Sequence, residues 1–333
     1  MARSVRVLLA MVVVGCGRAP VGVDAGADAR ADAGAGADAD AGAGANAGAN
    51  AGAGANAGAG AGANANAGAG TGTAGACPSG MLLVDGDYCT DLQLTCKKSW
   101  YANWNDKTIC EEFEPPSKCV GKLEHKRFCV DEYEYPNKKG ERPRVMFKFH
   151  EAQRLCAAEG KRVCTETEWT TACEGPEHKP YPYGYERDPK ACNGDRQYIE
   201  PKVVAHDRKG RPIMAFASRR AKVQSAELER LWQGVESGSQ PKCVSDYGVY
   251  DMPGNADELA SSETPEPASM FDNVTTGGPW LYGVRNQCRP KIYTHDEGFS
   301  YYYLSTRCCA EADGKPTDPR APKQIRRKER WRP

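Results

Sequence analysis

The chain has 333 residues, 44 basic against 44 acidic side chains, and 15 cysteines. A formal charge of zero leaves no global electrostatic footprint for nucleic acid, and so many cysteines argue against an ordinary cytosolic enzyme. The length allows one large domain or two small ones.

The N-terminus fits an oxidising destination. Arg3 and Arg6 precede an apolar run from Val7 to Val14. That run is too short to cross a bilayer as a stable helix and has the length of a signal-peptide core. It ends Val13-Val14-Gly15-Cys16, a small residue before a cysteine, which looks like the lipobox of bacterial lipoproteins. On this reading residues 1–16 are a signal peptide with lipobox. Cys16 carries lipid, becomes the new N-terminus, and anchors the protein to a membrane that it does not span. Gly17 and Arg18, with no Asp, follow the cysteine. The expected location is therefore the bacterial cell envelope, at the outer membrane, on its periplasmic or surface face.

Residues 17–76 are almost entirely Ala, Gly, Asp and Asn. Glycine at nearly every other position cancels the helix preference of alanine, and no apolar face exists to bury. The segment reads as a disordered tether, a coil spanning on the order of 45 Å end to end.

The folded part begins at Cys77. With Cys16 set aside, fourteen cysteines remain, an even number that suits complete pairing. Residues 80–89 read as a strand and turn, 90–129 as a loop-rich region tied by disulfides, and 128–136 as a strand. A helix is expected over 147–160. There Phe149, Ala152, Leu155 and Cys156 share one face, and Gly160 is placed to end it. A second is expected over 165–175, opened by a capping box of Thr165 and Glu168, with Trp169 and Ala172 facing inward. Residues 195–245 read as a polar insertion with one helix near 225–234. The basic end, 315–333, reads as a disordered, solvated tail.

Several segments stand in a recognisable order: "FHEAQRLCAAEGKRVCTETEWTTACEG" (149–175), "YPYG" (181–184), "ACNGD" (191–195), "YGVYDMPGNADEL" (247–259), "GGPW" (277–280) and "STRCCA" (305–310). The series resembles the formylglycine-generating enzyme family, the sulfatase-modifying factors. The match runs over about 78–312, within a domain taken as 77–314. The resemblance implies an α+β fold of irregular, C-type-lectin-like kind, low in regular structure and rich in disulfides.

Oxidase members of that family convert a substrate cysteine to formylglycine at copper(I), which two thiolates hold just after the glycine pair. Soft thiolates suit that ion. Here the window 277–291 holds only Cys288. In one register the expected cysteines fall near Gly278 and Gly283, in another near Tyr282 and Gln287. Copper is therefore not expected. The resemblance further implies disulfides Cys156–Cys308 and Cys173–Cys288. Cys164 and Cys309, which depart from the family, are expected to form a third beside the first. Two calcium sites also carry over. One uses Asn193 and Gly194; the other uses Glu258 with backbone oxygens around Gly254, Asn255 and Ala256, all hard oxygen donors. The family's ligand cleft maps to Trp280, Tyr282, Arg285 and His295.

Five scattered histidines give no metal-binding spacing, and no C-x-x-C, phosphate-binding loop or G-x-S-x-G elbow occurs. The function expected is a non-catalytic binding module for a peptide or glycan, displayed on the tether. The alternatives are an oxidoreductase with altered metal chemistry, acting on a protein or metabolite, and a purely structural envelope protein. Fold alone does not choose between them. Beyond the ligand and the membrane no partner is indicated, and the oligomeric state stays open.

Overall fold

The computed structural model describes residues 75–103, 107–202, 205–206, 212–213, 221–263, 271–281 and 285–315. The signal segment with Cys16, the tether as far as residue 74, Tyr282, and the tail beyond 315 lie outside the described residues. Among the described residues no helix is long and apolar enough to cross a membrane.

In chain order the strands are β1 (Met81–Cys89), β2 (Leu92–Gln93), β3 (Cys96–Ala102), β4 (Lys107–Phe113), β5 (Lys118–Cys119) and β6 (Leu123–Asp131). Helix α1 (Phe149–Ala158), β7 (Arg162–Val163) and α2 (Glu166–Glu174) follow. The middle of the chain adds β8 (Ala205–His206), β9 (Pro212–Ile213) and α3 (Ala221–Leu231). The last part holds β10 (Asp257–Ser261), β11 (Asn273–Thr276), β12 (Lys291–Ile292), β13 (Leu304–Thr306) and β14 (Cys308–Glu311). Two four-stranded sheets organise the chain, ordered β1-β6-β14-β7 and β12-β11-β10-β13. The fold is α+β and irregular, with few helices and many short strands.

β1 and β6 form a long antiparallel pair, Met81 opposite Asp131 through Cys89 opposite Leu123. Val84, Phe128 and Val130 point into a core shared with Trp169, Ala172, Val249 and Met252. A second core gathers Phe149, Ala152, Leu231, Leu259, Trp280, Tyr302 and Leu304.

Both expected helices form. α1 buries Phe149, Ala152, Gln153 and Cys156, while Leu155 is only half-buried against the core. α2 starts where Thr165 Oγ1 accepts the Glu168 amide at 3.3 Å and Glu168 Oε2 accepts the Thr165 amide at 2.9 Å. Glu168 also takes both Nη groups of Arg162 at 2.6 Å, which pins α2 to β7.

Three elements differ from the sequence reading. The hairpin of β3 and β4 occupies part of the stretch read as loop-rich. β3 is mostly exposed and charge is interspersed in both strands, so although β4 buries Ile109 and Phe113 no apolar alternation announces the hairpin. The strand expected over 128–136 begins earlier and stops at Asp131. Tyr133 and Tyr135 continue to point inward from a turn, which preserves the alternation without the sheet. The end of the stretch read as an insertion is core: Leu231 is fully buried, and Ser237 Oγ donates to Glu134 at 2.9 Å.

Every cysteine from Cys77 onward sits in a disulfide. The pairs are Cys77–Cys129, Cys89–Cys119, Cys96–Cys110, Cys156–Cys308, Cys164–Cys309, Cys173–Cys288 and Cys192–Cys243. Two of them join α1 and the segment after it to β14, and a third joins α2 to the loop before β12. A chain so poor in regular elements gains much of its order from such closures.

Candidate functional site

The glycine pair begins the region of interest. Gly277 and Gly278 both take left-handed backbone, φ 87° and 67°, a conformation that only glycine adopts at no cost. Gly254 N donates to Gly277 O at 2.9 Å and Trp280 N to Asn255 O at 2.8 Å, so residues 277–280 are clamped onto the turn before β10. Trp280 then enters the core, 0% exposed, its ring 5.0 Å from that of Trp232 and 6.2 Å from that of Tyr302.

The chain is described again at Arg285. Its guanidinium grips both oxygens of Asp257 at 3.0 and 2.8 Å. Cys288, the sulfur of this window, is bonded to Cys173. Between them Asn286 donates from Nδ2 to Pro279 O at 3.2 Å, while its Oδ1 is buried with no partner. A Cβ at Gly194 would stand 2.6 Å from Asn286 Nδ2, and one at Gly278 would stand 2.8 Å from its Oδ1. The two glycines leave the room in which this side chain sits.

Asn286 lines a small cavity of about 20 Å³ together with Tyr183, Arg187 and Asp195. That volume holds one water molecule. Tyr183, Arg187, Asp188 and Pro189 also wall a larger, open groove of about 780 Å³, which the small cavity adjoins through these four residues. The far wall of the groove comes from Lys242, Val244 and Asp246.

The groove is charged but balanced. Lys179 Nζ donates to Asp246 at 2.8 Å, Lys242 lies 3.5 Å from Asp188, and Arg187 pairs with Asp195 and with Glu111. Tyr183 stacks on Tyr181, ring centroids 5.3 Å apart, and its hydroxyl accepts the Asp188 amide at 3.4 Å. The disulfide Cys192–Cys243 ties the two walls together at the base.

The residues expected to bind calcium are nearby but already engaged. Glu258 gives Oε1 and Oε2 to Arg307, both at 2.7 Å, and Oε2 also to Trp169 Nε1 at 2.8 Å. A guanidinium neutralises the charge a cation would need. Asn255 Oδ1 accepts from Asn193 Nδ2 and from the Val235 amide, and Asn193 Oδ1 accepts from Arg196 Nε at 3.2 Å. These sets do not fit a hard-oxygen cage for calcium, because their side-chain oxygens are spent on protein donors. Among the described residues no group of three or more His, Cys, Asp or Glu side chains is gathered for a metal ion.

Around Arg307 lies a buried acidic surplus. Burial, and then Asp251 and Glu258, hold the Glu134 carboxyl well above the usual range. Burial pushes Asp251 up to about 6 against the pull of the Gly238 amide and Arg307. Glu134 is satisfied by Asn255 Nδ2, the Ala256 amide and Ser237 Oγ. Asp251 Oδ1 has no partner.

The expected cleft residues do not share one cavity. Trp280 is core, Arg285 is locked to Asp257, and His295 stacks on Phe299 with centroids 3.8 Å apart. Tyr282 lies outside the described residues. The groove is built instead from "YPYG" and the segment after it. Those residues served the sequence reading as landmarks only. The signal available there was the dense run of Tyr, Arg, Lys and Asp between 179 and 195, which is unusual for a plain connecting loop.

A family model described as FGE-sulfatase, the sulfatase-modifying factor enzyme 1-like domain, matches residues 92–308. Among solved structures, the one described as the crystal structure of CarF is similar with a TM-score of 0.40 and 12% identity, over 70% of this chain and 98% of that one. PvdO from Pseudomonas aeruginosa is similar with a TM-score of 0.39 and 12% identity, over 69% of this chain and 94% of that one. The Treponema denticola variable protein 1 gives 0.35 and 12%, over 68% and 99%. Among curated proteins none matches the chain.

Proposed function

This chain belongs to the sulfatase-modifying factor enzyme 1-like family, and within it we propose that the protein is a binding module for a glycan or peptide rather than an oxidase. The observation that carries this reading is the state of its sulfur. Thiolate-held copper needs two free cysteines at the glycine-pair window. Cys288 is bonded to Cys173, and the other twelve cysteines from Cys77 onward are bonded as well. The residues present do not fit copper, and no reaction step is assigned to it. What remains beside the window is a groove with polar walls and a paired charge pattern, a shape suited to holding a ligand.

The setting is proposed on the same footing. Lipidation at Cys16 would fix the protein to the cell envelope, and the Ala/Gly/Asp/Asn tether would hold the domain on the order of 45 Å from the membrane. A surface display of this kind suits capture of a ligand outside the bilayer.

The test is a thiol count joined to a turnover assay. The full chain, secreted into an oxidising compartment, is alkylated without reduction and its intact mass read. It is also incubated with copper(I), oxygen and a cysteine-containing peptide. The expected result is no label on residues 77–333 and an unchanged peptide. Two labelled cysteines, or a peptide that loses its sulfur, would overturn the reading.

A further inference from the structure

The groove beside Asn286 has features that narrow its ligand class, and the inference rests on the binding-module reading above. We propose that it binds a neutral oligosaccharide, with one sugar ring against Tyr183 and a hydroxyl donated to Asn286 Oδ1 in the adjoining small cavity.

Charge disfavours the common alternatives. Lys179 is held by Asp246, Lys242 faces Asp188, and Arg187 is held by Asp195. An anionic ligand would have to displace a carboxylate from a cation, and a cationic ligand the reverse at every lining carboxylate but Glu186. Either exchange returns little, since one ion pair replaces another. A neutral ligand needs no such exchange. It can accept from the remaining donor sites of Lys179 and Lys242 and donate to the unused lone pairs of Asp188 and Asp246.

The backbone argues against an extended peptide. Peptides that add to a surface as strands need a row of unpaired amides and carbonyls. Along this wall Gly184 N donates to Tyr181 O, Phe113 N to Tyr185 O, Arg187 N to Glu111 O, and Ala191 N to Asp188 O. The edge is already taken by β4 and by local turns.

Two positive features fit a sugar. Tyr181 covers one face of the Tyr183 ring, with the planes only 10° apart, and Tyr183 lines both the groove and the small cavity. An aromatic face fixed in this way suits the apolar C–H face of a pyranose. Asn286 Oδ1 is buried without a donor, and a buried acceptor left unfilled costs about 1–3 kcal/mol. A ligand hydroxyl that reaches this oxygen supplies the donor it lacks. At about 780 Å³ the groove is large enough for more than one ring.

The experiment is calorimetric titration of the full mature chain with maltohexaose, cellohexaose and hexa-N-acetylchitohexaose, and in parallel with an unstructured neutral peptide. Saturable binding of at least one oligosaccharide is expected. Tyr183→Ala and Asn286→Leu should each weaken it about tenfold or more, the loss of one good contact. Tyr183→Phe, which keeps the ring, should bind within about threefold of the parent, and Tyr198→Ala, which lies off the groove, should not change it. Folding of each variant is checked by its non-reducing unfolding curve. Binding of the peptide but of no sugar would overturn the glycan assignment and leave the binding-module reading standing. Sugar binding indifferent to Tyr183→Ala and Asn286→Leu would overturn the site. Binding of none of the probes would overturn the proposal, while sulfur loss from a cysteine peptide would overturn the reading beneath it.

Discussion

Glu258 and Arg307 meet at two points inside the protein, Nε to Oε2 and Nη2 to Oε1, each at 2.7 Å, and neither side chain reaches solvent. Arg307 also donates to Asp131 O at 3.2 Å and Tyr250 O at 2.9 Å, so one guanidinium links both four-stranded sheets to the turn before β10. Breaking such a pair leaves a buried charge uncompensated, which costs about 3–5 kcal/mol. Arg307→Met is therefore expected to lower stability by that amount. Replacing both partners, Glu258→Leu with Arg307→Met, should cost clearly less than the sum of the two single changes. Urea unfolding under non-reducing conditions measures both.

The same cluster sets a pH dependence. Burial raises Asp251 from 3.8 to about 6, and Glu134 moves in the same direction. A carboxyl whose folded pKa lies above its unfolded value favours the fold fully below the unfolded value. That contribution is lost as pH rises through the folded value. Stability is expected to fall between pH 3.8 and about 6 on account of this group. Asp251→Asn should flatten the curve in that window, leaving the difference between parent and variant to titrate there. A pH series of denaturant midpoints reads it. Equal slopes in both proteins would remove the assignment.

The seven disulfides should not be equal. Cys96–Cys110 closes a separation of 14 residues and Cys156–Cys308 one of 152. In the chain-entropy model the short loop contributes about 3 kcal/mol and the long one about 5. Replacing each pair by alanines should reproduce that order in denaturant unfolding. The long bridge also sits in the core, so its loss should lower the yield of folded protein as well.

Gly277 offers a local test. With φ at 87°, any side chain is strained, and a Cβ would collide with the Met252 carbonyl and the Trp169 ring. Gly277→Ala is expected to cost at least about 2 kcal/mol. The same change at Gly160, which has positive φ but open space around it, should cost only about 1 kcal/mol. Thermal unfolding of the two variants separates collision from backbone strain.

Much of the fold was legible because its signals are local. The capping box of Thr165 and Glu168 and the apolar spacing of Phe149, Ala152 and Cys156 state where two helices begin and what they bury. The motif order pointed to the family, and the cysteine pairs Cys156–Cys308, Cys164–Cys309 and Cys173–Cys288 follow from that resemblance. The β3–β4 hairpin was not legible, because Lys97, Lys98, Glu111 and Glu112 put charge on both of its faces and break the alternation around Ile109 and Phe113. The four other bridges could not be assigned, since spacing does not fix connectivity.

By itself the sequence determined the class of the fold, the two helices, the even set of cysteines and the presence of a single sulfur after the glycine pair. These are properties of neighbours along the chain, or of counts. The tertiary structure decided what those residues are free to do. It placed Trp280 in the core, spent Glu258 on Arg307 and Arg285 on Asp257, and left Asn286 Oδ1 unfilled in a small cavity beside a groove. Whether a carboxylate, a guanidinium or an amide is available to a ligand depends on partners that lie tens of residues away: 49 separate Glu258 from Arg307, and 28 separate Asp257 from Arg285. No local pattern records such a pairing, because its energy arises only when folding removes both groups from water.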